Sequence, residues 1–224
     1  MSQLLKVNEI FETIQGEGVF TGVPSIFLRL QGCPVGCAWC DTKHTWEVDL
    51  EHEVSFDAVI GKCTESEQWG QVSVEQVVKE CSERYSAKHV VITGGEPCMY
   101  DLTSLTSRLE SFGFTCQIET SGTFDVNASE ACWVTVSPKI GMKGGLNIQA
   151  QAVSRANEIK YPIGTQKDLD NLTDLLSTFE TRENVVVALQ PISQKKRATE
   201  LCIEACIQNN WRLSIQTHKY LQIA

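Results

Sequence analysis

The segment Cys33-Pro34-Val35-Gly36-Cys37-Ala38-Trp39-Cys40 places three cysteines in a C-x3-C-x2-C pattern. Thiolates are soft ligands that bind zinc, Cu(I) or iron–sulfur clusters, so this spacing predicts a metal centre. Three thiolates are one fewer than a structural zinc site or a fully protein-ligated four-iron cluster uses. A four-iron cluster held here would leave one iron open to a small molecule. A zinc site would need a fourth ligand, for which His44 is the nearest candidate.

The composition predicts a globular protein of one domain, residues 1–224, in the cytoplasm. The chain has 224 residues, 42% of them hydrophobic, and a formal net charge of −9. This negative charge argues against a broad nucleic-acid surface. No apolar run approaches the length that spans a bilayer, so no membrane partner is expected. The ten cysteines follow an N-terminal stretch that does not resemble a signal peptide, which favours reduced thiols.

Strand-like and helix-like patterns alternate along most of the chain. The predicted strands are Ser25–Gln31, Val90–Thr93, Phe114–Glu119, Trp133–Val136, Glu158–Tyr161, Val185–Leu189 and Arg212–Ile215. The alternation predicts βα units around a parallel sheet whose faces are covered or rolled into a barrel. A polar tract at 44–70 interrupts the pattern and is interpreted as an insertion over the surface or over the site. The stretch Asn8–Gly18 reads as a short mixed segment followed by a glycine-bracketed turn.

Polar or glycine-rich segments follow the ends of five predicted strands. They begin at Cys33, Gly94, Glu119, Ser137 and Gln190. Because parallel sheets bind ligands at the carboxyl ends of their strands, we expect these segments to form one site. Arg29 interrupts the apolar run of the first of these strands. A buried arginine is costly, so it is expected at the open end of the strand or paired with an anion.

The cysteine triplet, with Trp39 before its last member, resembles the radical S-adenosylmethionine (SAM) superfamily, as does Gly94-Gly95-Glu96-Pro97. The resemblance implies a modified partial TIM-type (βα)6 barrel, with a [4Fe-4S] cluster on Cys33, Cys37 and Cys40 and SAM at the open iron. Further motifs are similar to the 7-carboxy-7-deazaguanine synthase family. They are Ile14–Gly18, Arg29, Cys40–Thr42, Glu119–Gly122, Ser137–Lys139 and Gln216–Tyr220.

This family resemblance implies a lyase of 7-deazapurine (queuosine) biosynthesis, a pathway of tRNA modification. Its members convert 6-carboxy-5,6,7,8-tetrahydropterin to 7-carboxy-7-deazaguanine and ammonia, through a 5′-deoxyadenosyl radical that takes hydrogen from C6 and later returns it. The resemblance also implies Mg²⁺, a homodimer, and a flavodoxin or ferredoxin as electron donor. Two alternatives remain open: another radical SAM enzyme such as a glycyl-radical activase, and a non-catalytic zinc-binding module.

The same resemblance implies roles for individual residues. The substrate would be held by Ile14, Gln15, Gly16, Arg29, Thr93, His218 and the carboxylate of Ala224. Cofactor contacts would come from Trp39, Cys40, Asp41, Gly94, Gly95, Glu96, Glu119, Ser137, Pro138, Lys139, Gln190, Pro191, Ile192 and Ser193. Thr42 would bind magnesium, and Glu96 would attract the ammonium group of SAM. The guanidinium of Arg29 would bind the substrate carboxylate through two hydrogen bonds.

Overall fold

The computed structural model describes residues 4–222, in which one sheet runs through the whole fold. In chain order the strands and helices are β1 Leu4–Ile14, β2 Pro24–Leu30, α1 Phe56–Ile60, β3 Gly70–Ser73, α2 Val74–Arg84, β4 His89–Gly94, α3 Thr103–Ser111, β5 Thr115–Thr120, β6 Trp133–Val136, α4 Ala150–Arg155, β7 Glu158–Ile163, α5 Gln166–Thr178, β8 Val186–Pro191, α6 Lys196–Asn209, β9 Arg212–Leu213 and α7 Thr217–Leu221. Short 3-10 turns lie at 18–20, 43–45, 50–52, 97–99 and 192–194. No helix among the described residues has the length and apolarity needed to cross a membrane.

The order of the strands in the sheet is β3-β1-β2-β4-β5-β6-β7-β8-β9. Neighbours from β2 to β9 are parallel, whereas β1 is antiparallel to both β2 and β3. The sheet stays open because its edge strands β3 and β9 are not neighbours. The predicted α/β fold with a partial parallel barrel is confirmed. The connection from β5 to β6, residues 121–132, departs from the (βα)6 scheme because it contains no helix.

The two faces of the sheet carry different side chains. Apolar residues such as Val90 and Ile92 of β4 are fully buried in one cluster with Val77 of α2 and Leu105 of α3. Burying each such side chain contributes about 1.5–3 kcal/mol, which fixes the helices on the outer face. The inner face is polar: Gln117, Thr135, Glu158 and Lys160 of β5, β6 and β7 are buried there. The polar inner face lies directly below the carboxyl ends of the strands.

The segment 44–70 packs against the sheet edge and the cysteine segment. Trp69 is fully buried, and its Nε1 donates a hydrogen bond to Asp49 O at 2.9 Å. The backbone N–H groups of Gly32 and Cys33 donate to Thr45 O and Trp46 O, at 2.7 and 3.0 Å. The segment therefore supports the start of the cysteine loop, and it is followed by β3, which begins at Gly70, and by helix α2. A capping box between Ser73 and Gln76 begins that helix.

Several element boundaries differ from the sequence-based prediction. The stretch read as a short mixed segment belongs to an eleven-residue strand, β1. Its register shifts between Val7 and Glu9, so the alternation of apolar residues changes phase there. The strand predicted at Arg212–Ile215 is shorter, since only Arg212–Leu213 pairs with β8. Helices α4 and α7, of six and five residues, were not predicted because each is too short to show a helical pattern.

Candidate active site at the carboxyl ends of the strands

The cysteine loop connects the end of β2 to the segment 44–70. Cys33, Cys37 and Cys40 all line one cavity of about 360 Å³ at the carboxyl ends of the strands. Gly36 has a φ of +71°, which lets the loop reverse between the first two cysteines. Gly144 N donates to Val35 O at 3.0 Å and fixes the loop from the far side. These backbone contacts, together with the hydrogen bond that Trp46 Nε1 donates to Cys40 Sγ at 3.3 Å, hold the loop around the cavity.

The chemistry of the three thiols fits a bound cationic cluster. Burial raises the pKa of the Cys33 thiol to about 11. Burial also raises the pKa of the Cys37 thiol, although the positive charge of Lys139 acts in the opposite direction. A thiolate here therefore depends on a bound metal. Among residues 4–222, no three His, Cys, Asp or Glu side chains converge as the ligands of one ion must. A zinc ion needs its thiolate ligands at about 2.3 Å from one point. In a [4Fe-4S] cluster each cysteine binds a different iron atom, so the thiolates can lie further apart. The three cysteines therefore fit a [4Fe-4S] cluster.

The glycine-rich end of β4 forms the wall beside this loop. Gly95 N donates to Leu30 O and Glu96 N to Gly32 O, both at 2.8 Å. A Cβ on Gly95 would lie 2.1 Å from Gly32 O, and Gly94 has a φ of +107°, so larger residues do not fit at either position. The turn therefore packs backbone to backbone against the start of the cysteine loop.

Glu96 holds this turn against the end of β5. Its Oε1 accepts hydrogen bonds from Cys98 N at 3.0 Å and Thr120 Oγ1 at 2.6 Å. Its Oε2 accepts from Ser121 N at 2.8 Å and from Ser121 Oγ. Four donors of the chain fill the accepting capacity of a carboxylate. The predicted contact with the SAM ammonium would require one of them to move, and it stays a prediction.

The far wall of the cavity carries an acceptor without a partner. Gln190 Oε1 is buried and accepts no hydrogen bond from the described residues. Ser137, Lys139 and Ser193 line the same wall, and Lys139 Nζ donates to Ser137 Oγ at 2.7 Å. Burial lowers the pKa of Lys139. An orphaned buried acceptor favours a ligand that donates a hydrogen bond, as the amino groups of SAM can.

A second cavity, of about 170 Å³, adjoins the first. Arg29 and Thr93 lie opposite each other in the register of β2 and β4 and both line it. From the sequence, Arg29 was expected either at the open end of its strand or paired with an anion. The structure shows it paired with an anion, since Arg29 Nε lies 3.1 Å from Glu9 Oε1. Five residues of the second cavity, besides Thr93, also line the first, namely Glu17, Asp41, Thr42, Glu119 and Lys160. The two cavities therefore share one wall.

Lys160 of β7 lies between two carboxylates in this shared wall. Its Nζ donates to Glu17 Oε2 at 2.7 Å and to Glu119 Oε2 at 2.9 Å. Burial alone would lower the pKa of Lys160, but the two carboxylates raise it above its usual value. Burial likewise favours a higher pKa for Glu17, but the Lys160 charge and hydrogen bonds lower it to about 2. Burial raises the pKa of Glu119 to about 7, against the opposing charge of Lys160.

Gln117 connects this group to the floor of the barrel. Its Nε2 donates to Glu119 Oε1 at 2.9 Å and to Thr135 Oγ1 at 3.1 Å, while its Oε1 accepts from Gln15 Nε2 at 3.3 Å. His89 Nε2 lies 3.0 Å from the same Oε1. Burial lowers the pKa of His89, which favours the neutral ring. The side chain of Gln15 is thereby fixed relative to Glu119.

The chain segment after β9 closes the second cavity. Thr217 N donates to Gly16 O at 2.9 Å, and Gln216 Nε2 donates to Glu17 Oε1 at 2.7 Å. Gly18 N donates to Ser214 Oγ at 2.9 Å. The ring of His218 lies against Gly16, where a Cβ would come within 2.5 Å of His218 Nδ1. Residues 214–218 are therefore held against residues 14–18, and His218 lines the cavity beside Ile14–Glu17.

The structure brings most of the predicted site residues together. The second cavity is lined by Ile14, Gln15, Gly16, Arg29, Asp41, Thr42, Thr93, Glu119 and His218. The first is lined by Cys33, Cys37, Trp39, Cys40, Asp41, Thr42, Thr93, Gly94, Gly95, Glu96, Glu119, Ser137, Lys139, Gln190, Pro191, Ile192 and Ser193. Pro138 is buried and lines neither, and Ala224 lies outside the described residues. The sequence analysis gave no role to Glu17, Phe27 or Lys160, which also line the second cavity.

Known proteins share both the sequence and the fold of this chain. Residues 28–136 match the family model described as Radical SAM superfamily. The 7-carboxy-7-deazaguanine synthase of Escherichia coli (strain K12) is 58% identical, over 97% of this chain and 98% of that protein. The synthase of Buchnera aphidicola subsp. Schizaphis graminum is 47% identical over the same shares. The crystal structure of QueE from Escherichia coli superposes with a TM-score of 0.93 at 56% identity, covering 95% of this chain and 94% of that one.

Proposed function

The chain belongs to the 7-carboxy-7-deazaguanine synthase family of radical SAM enzymes, and we propose that its two adjoining cavities bind SAM and the carboxypterin substrate side by side. It is a lyase of queuosine biosynthesis that contracts the ring of 6-carboxy-5,6,7,8-tetrahydropterin to 7-carboxy-7-deazaguanine, with a [4Fe-4S] cluster and SAM as its cofactors. When bound, these cofactors supply the one-electron chemistry that removes a hydrogen atom from C6. The shared wall of the two cavities is the observation that carries the site assignment.

The first cavity is proposed to hold the cluster and SAM. Cys33, Cys37 and Cys40 would bind three irons, and the unpartnered Gln190 Oε1 would accept a hydrogen bond from SAM. The backbone of Gly94 and Gly95 forms a wall without side chains, which permits close approach of a ligand. These residues orient the cofactor and exclude water from it.

The second cavity is proposed to hold the pterin. Arg29 would bind the substrate carboxylate through two parallel hydrogen bonds, the geometry that guanidinium favours. Thr93, which faces both cavities, would direct C6 towards the first. Gln15 and His218 would fix the ring, since Gln15 is held by its hydrogen bond to Gln117 and the His218 ring lies against Gly16. With its pKa near 7, the Glu119 carboxyl can hold a proton on Oε1 or Oε2 beside the substrate at neutral pH.

A magnesium ion is proposed at Thr42. The hydroxyl of Thr42 lies 3.4 Å from Gly94 O and borders both cavities, with Asp41 next to it. Hydroxyl, carboxylate and substrate oxygens are the ligands that this hard cation prefers. The ion would add positive charge where the substrate carboxylate binds.

Further properties of the family extend to this chain as proposals. We expect one domain over residues 1–224, a homodimer in the cytoplasm, and a flavodoxin or ferredoxin as the electron donor. Neither nucleic acid nor a membrane is expected to bind directly. The match to synthases along 97% of the chain favours this function over a glycyl-radical activase or a zinc-binding module.

The test is turnover by anaerobically reconstituted protein. The protein is incubated with SAM, Mg²⁺, a reductant and 6-carboxytetrahydropterin, and the deazapurine is measured by chromatography. We expect product from the wild type and none from Cys33→Ala. Cleavage of SAM without formation of the deazapurine would contradict the proposed substrate. Stoichiometric zinc without iron or sulfide would instead support the zinc-binding module.

A further inference from the structure

We propose that Trp46 raises the reduction potential of the [4Fe-4S] cluster through the hydrogen bond that its indole N–H donates to the sulfur of Cys40. The inference rests on the proposed function, because that function assigns Cys40 to one of the irons. The sequence analysis gave Trp46 no role. It is a positioning residue in this proposal, since it acts on the cluster through Cys40.

The side chain of Trp46 contacts the cysteine loop at its last cysteine. Trp46 Nε1 lies 3.3 Å from Cys40 Sγ and donates a hydrogen bond to it. An indole N–H can only donate, so the sulfur is the acceptor. Both residues line the first cavity, so the bond lies beside the space proposed for the cluster. A cysteine sulfur that binds a cluster iron can still accept a hydrogen bond.

Backbone contacts fix Trp46 relative to the loop. Trp46 N donates to Lys43 O at 3.1 Å, and Trp46 O accepts from Cys33 N at 3.0 Å. Trp46 therefore contacts the cysteine loop at both ends, with its backbone at Cys33 and with its indole at Cys40. On the ring itself, Lys43 Nζ lies 5.9 Å from the centre. The chain itself thus holds the indole N–H in place against the sulfur.

Thr42 does not supply an equivalent hydrogen bond. Its Oγ1 lies 3.6 Å from Cys40 Sγ and 3.4 Å from Gly94 O. A hydroxyl has one proton and cannot donate to both acceptors at once. The proposed function also assigns this oxygen to Mg²⁺. In the part of the chain that the structure describes, Trp46 is therefore the side chain that places an N–H on Cys40 Sγ.

The hydrogen bond favours the reduced cluster. Reduction adds one electron, [4Fe-4S]²⁺ to [4Fe-4S]⁺, and this electron comes from the flavodoxin or ferredoxin of the proposed function. The added charge makes the cysteine sulfurs better acceptors, and hydrogen bonds to charged acceptors are the stronger ones. Hydrogen bonds to the sulfurs are among the features that set cluster potentials. Trp46 therefore makes the cluster easier to reduce.

The experiment measures the reduction potential of the cluster in the wild type and in Trp46→Phe, which keeps an aromatic ring but has no N–H. Reconstituted protein is titrated anaerobically with a low-potential reductant and redox mediators, and the reduced cluster is followed by electron paramagnetic resonance (EPR). SAM is left out so that the electron stays on the cluster. At a fixed potential we expect the ratio of reduced to oxidised cluster to fall about tenfold, which is about 59 mV for one electron.

Trp69→Phe is the matched control. Trp69 Nε1 donates to Asp49 O at 2.9 Å, so this variant loses an indole hydrogen bond to a backbone oxygen of the same segment. The ratio should change less than about twofold, because no cysteine sulfur loses a donor.

A second measurement uses the wild-type sequence, and it decides the question if Trp46→Phe does not retain its cluster. Tryptophan labelled with nitrogen-15 in the indole is incorporated, and pulsed EPR of the reduced cluster detects the coupled nitrogen. We expect a coupling that persists in Trp39→Phe, which removes the indole next to Cys40 in the sequence. Loss of the coupling in that variant would assign it to Trp39 and overturn the inference.

The outcomes distinguish the inference from the proposed function. An unchanged or higher potential in Trp46→Phe with full iron content would overturn the inference, and so would an equal decrease in Trp69→Phe. Wild-type protein without nitrogen-15 coupling would overturn it as well. In each case cluster assembly and turnover by the wild type would still support the proposed function. A wild type that assembles no [4Fe-4S] cluster, or Cys40→Ala with full iron content, would instead overturn the proposed role of the cysteines.

Discussion

Replacing Lys160 by methionine removes the only cation that bonds directly to Glu17 and Glu119 among the described residues. Methionine preserves most of the volume, so the change is one of charge rather than packing. Breaking a buried ion pair by deleting one partner costs about 3–5 kcal/mol, because the remaining charge is uncompensated. For a chain of this size such a loss lowers the melting temperature by about 10 °C. We expect that decrease for Lys160→Met at pH 8.

The decrease should be smaller at pH 6. In the wild type the pKa of Glu17 is about 2, below the usual 4.5, so its contribution to stability is complete above about pH 4.5 and is lost as the pH falls through 2. Without Lys160, burial would raise the pKa of both carboxyls, and the folded state would keep protons that the unfolded state releases. Stability then falls as the pH rises, by about 1.4 kcal/mol per unit for each such group. Wild-type Glu119, with a pKa of about 7, already shows this dependence below pH 7, so it adds to the difference between the two proteins only above pH 7. Glu17 adds to it throughout, and the stability deficit of Lys160→Met should therefore shrink by at least about 1.4 kcal/mol per unit between pH 8 and pH 6.

The assay is thermal unfolding of anaerobically reconstituted protein, followed by circular dichroism at pH 6, 7 and 8. Lys79→Met is the matched control, since Lys79 Nζ lies 4.0 Å from Glu83 Oε2 in an exposed pair on α2. Exposed pairs contribute little, so that variant should melt within about 2 °C of the wild type at each pH. The reasoning fails if the two variants lose the same stability, or if the deficit of Lys160→Met does not depend on pH.

Three further changes test other parts of the site. Cys33→Ala should abolish the four-iron absorption of reconstituted protein and most of its iron, and full iron content would exclude Cys33 as a ligand. Arg29→Lys should raise the KM for the carboxypterin at least about tenfold with a smaller change in kcat, because an ammonium cannot form the two parallel bonds; an unchanged KM would contradict this. Gly95→Ala should lower the melting temperature by about 5 °C or more, since its Cβ would lie 2.1 Å from Gly32 O; a stable variant would show that the turn can shift.

The carboxyl ends of the strands could be predicted because each follows a short apolar run. Val90–Thr93 is continuous, β-branched and followed by two glycines, and β4 ends at Gly94 as expected. β1 could not be recognised in the same way. Its outward apolar residues are Leu5, Val7 and Ile10, and the extra residue Asn8 breaks the period of two on which strand prediction depends.

The buried ion pairs of Lys160 with Glu17 and Glu119 could not be predicted from the sequence, for a different reason. Glu17 and Lys160 are 143 residues apart, and a charged side chain is normally read as exposed. Only the folded chain shows that Lys160 is buried between two carboxylates. Glu158 and Lys160 alternate on β7, which signals a polar inner face, but no local pattern identifies their partners. Gln117 is a similar case, since its role appears only through Gln15, Glu119 and His89.

The contact between residues 14–18 and 214–218 has a consequence for biosynthesis. Its hydrogen bonds join residues 196 to 201 positions apart, whereas the cysteine loop and the end of β4 lie within the first half of the chain. At a translation rate of about 5–20 residues per second, the ribosome needs about 6–24 s to make the residues between Gly94 and Ser214. The nascent chain can thus expose its thiols to the proteins that deliver iron and sulfide before residues 214–218 have been made and the second cavity is complete. The order of synthesis therefore makes the cysteine loop available before the second cavity can be completed.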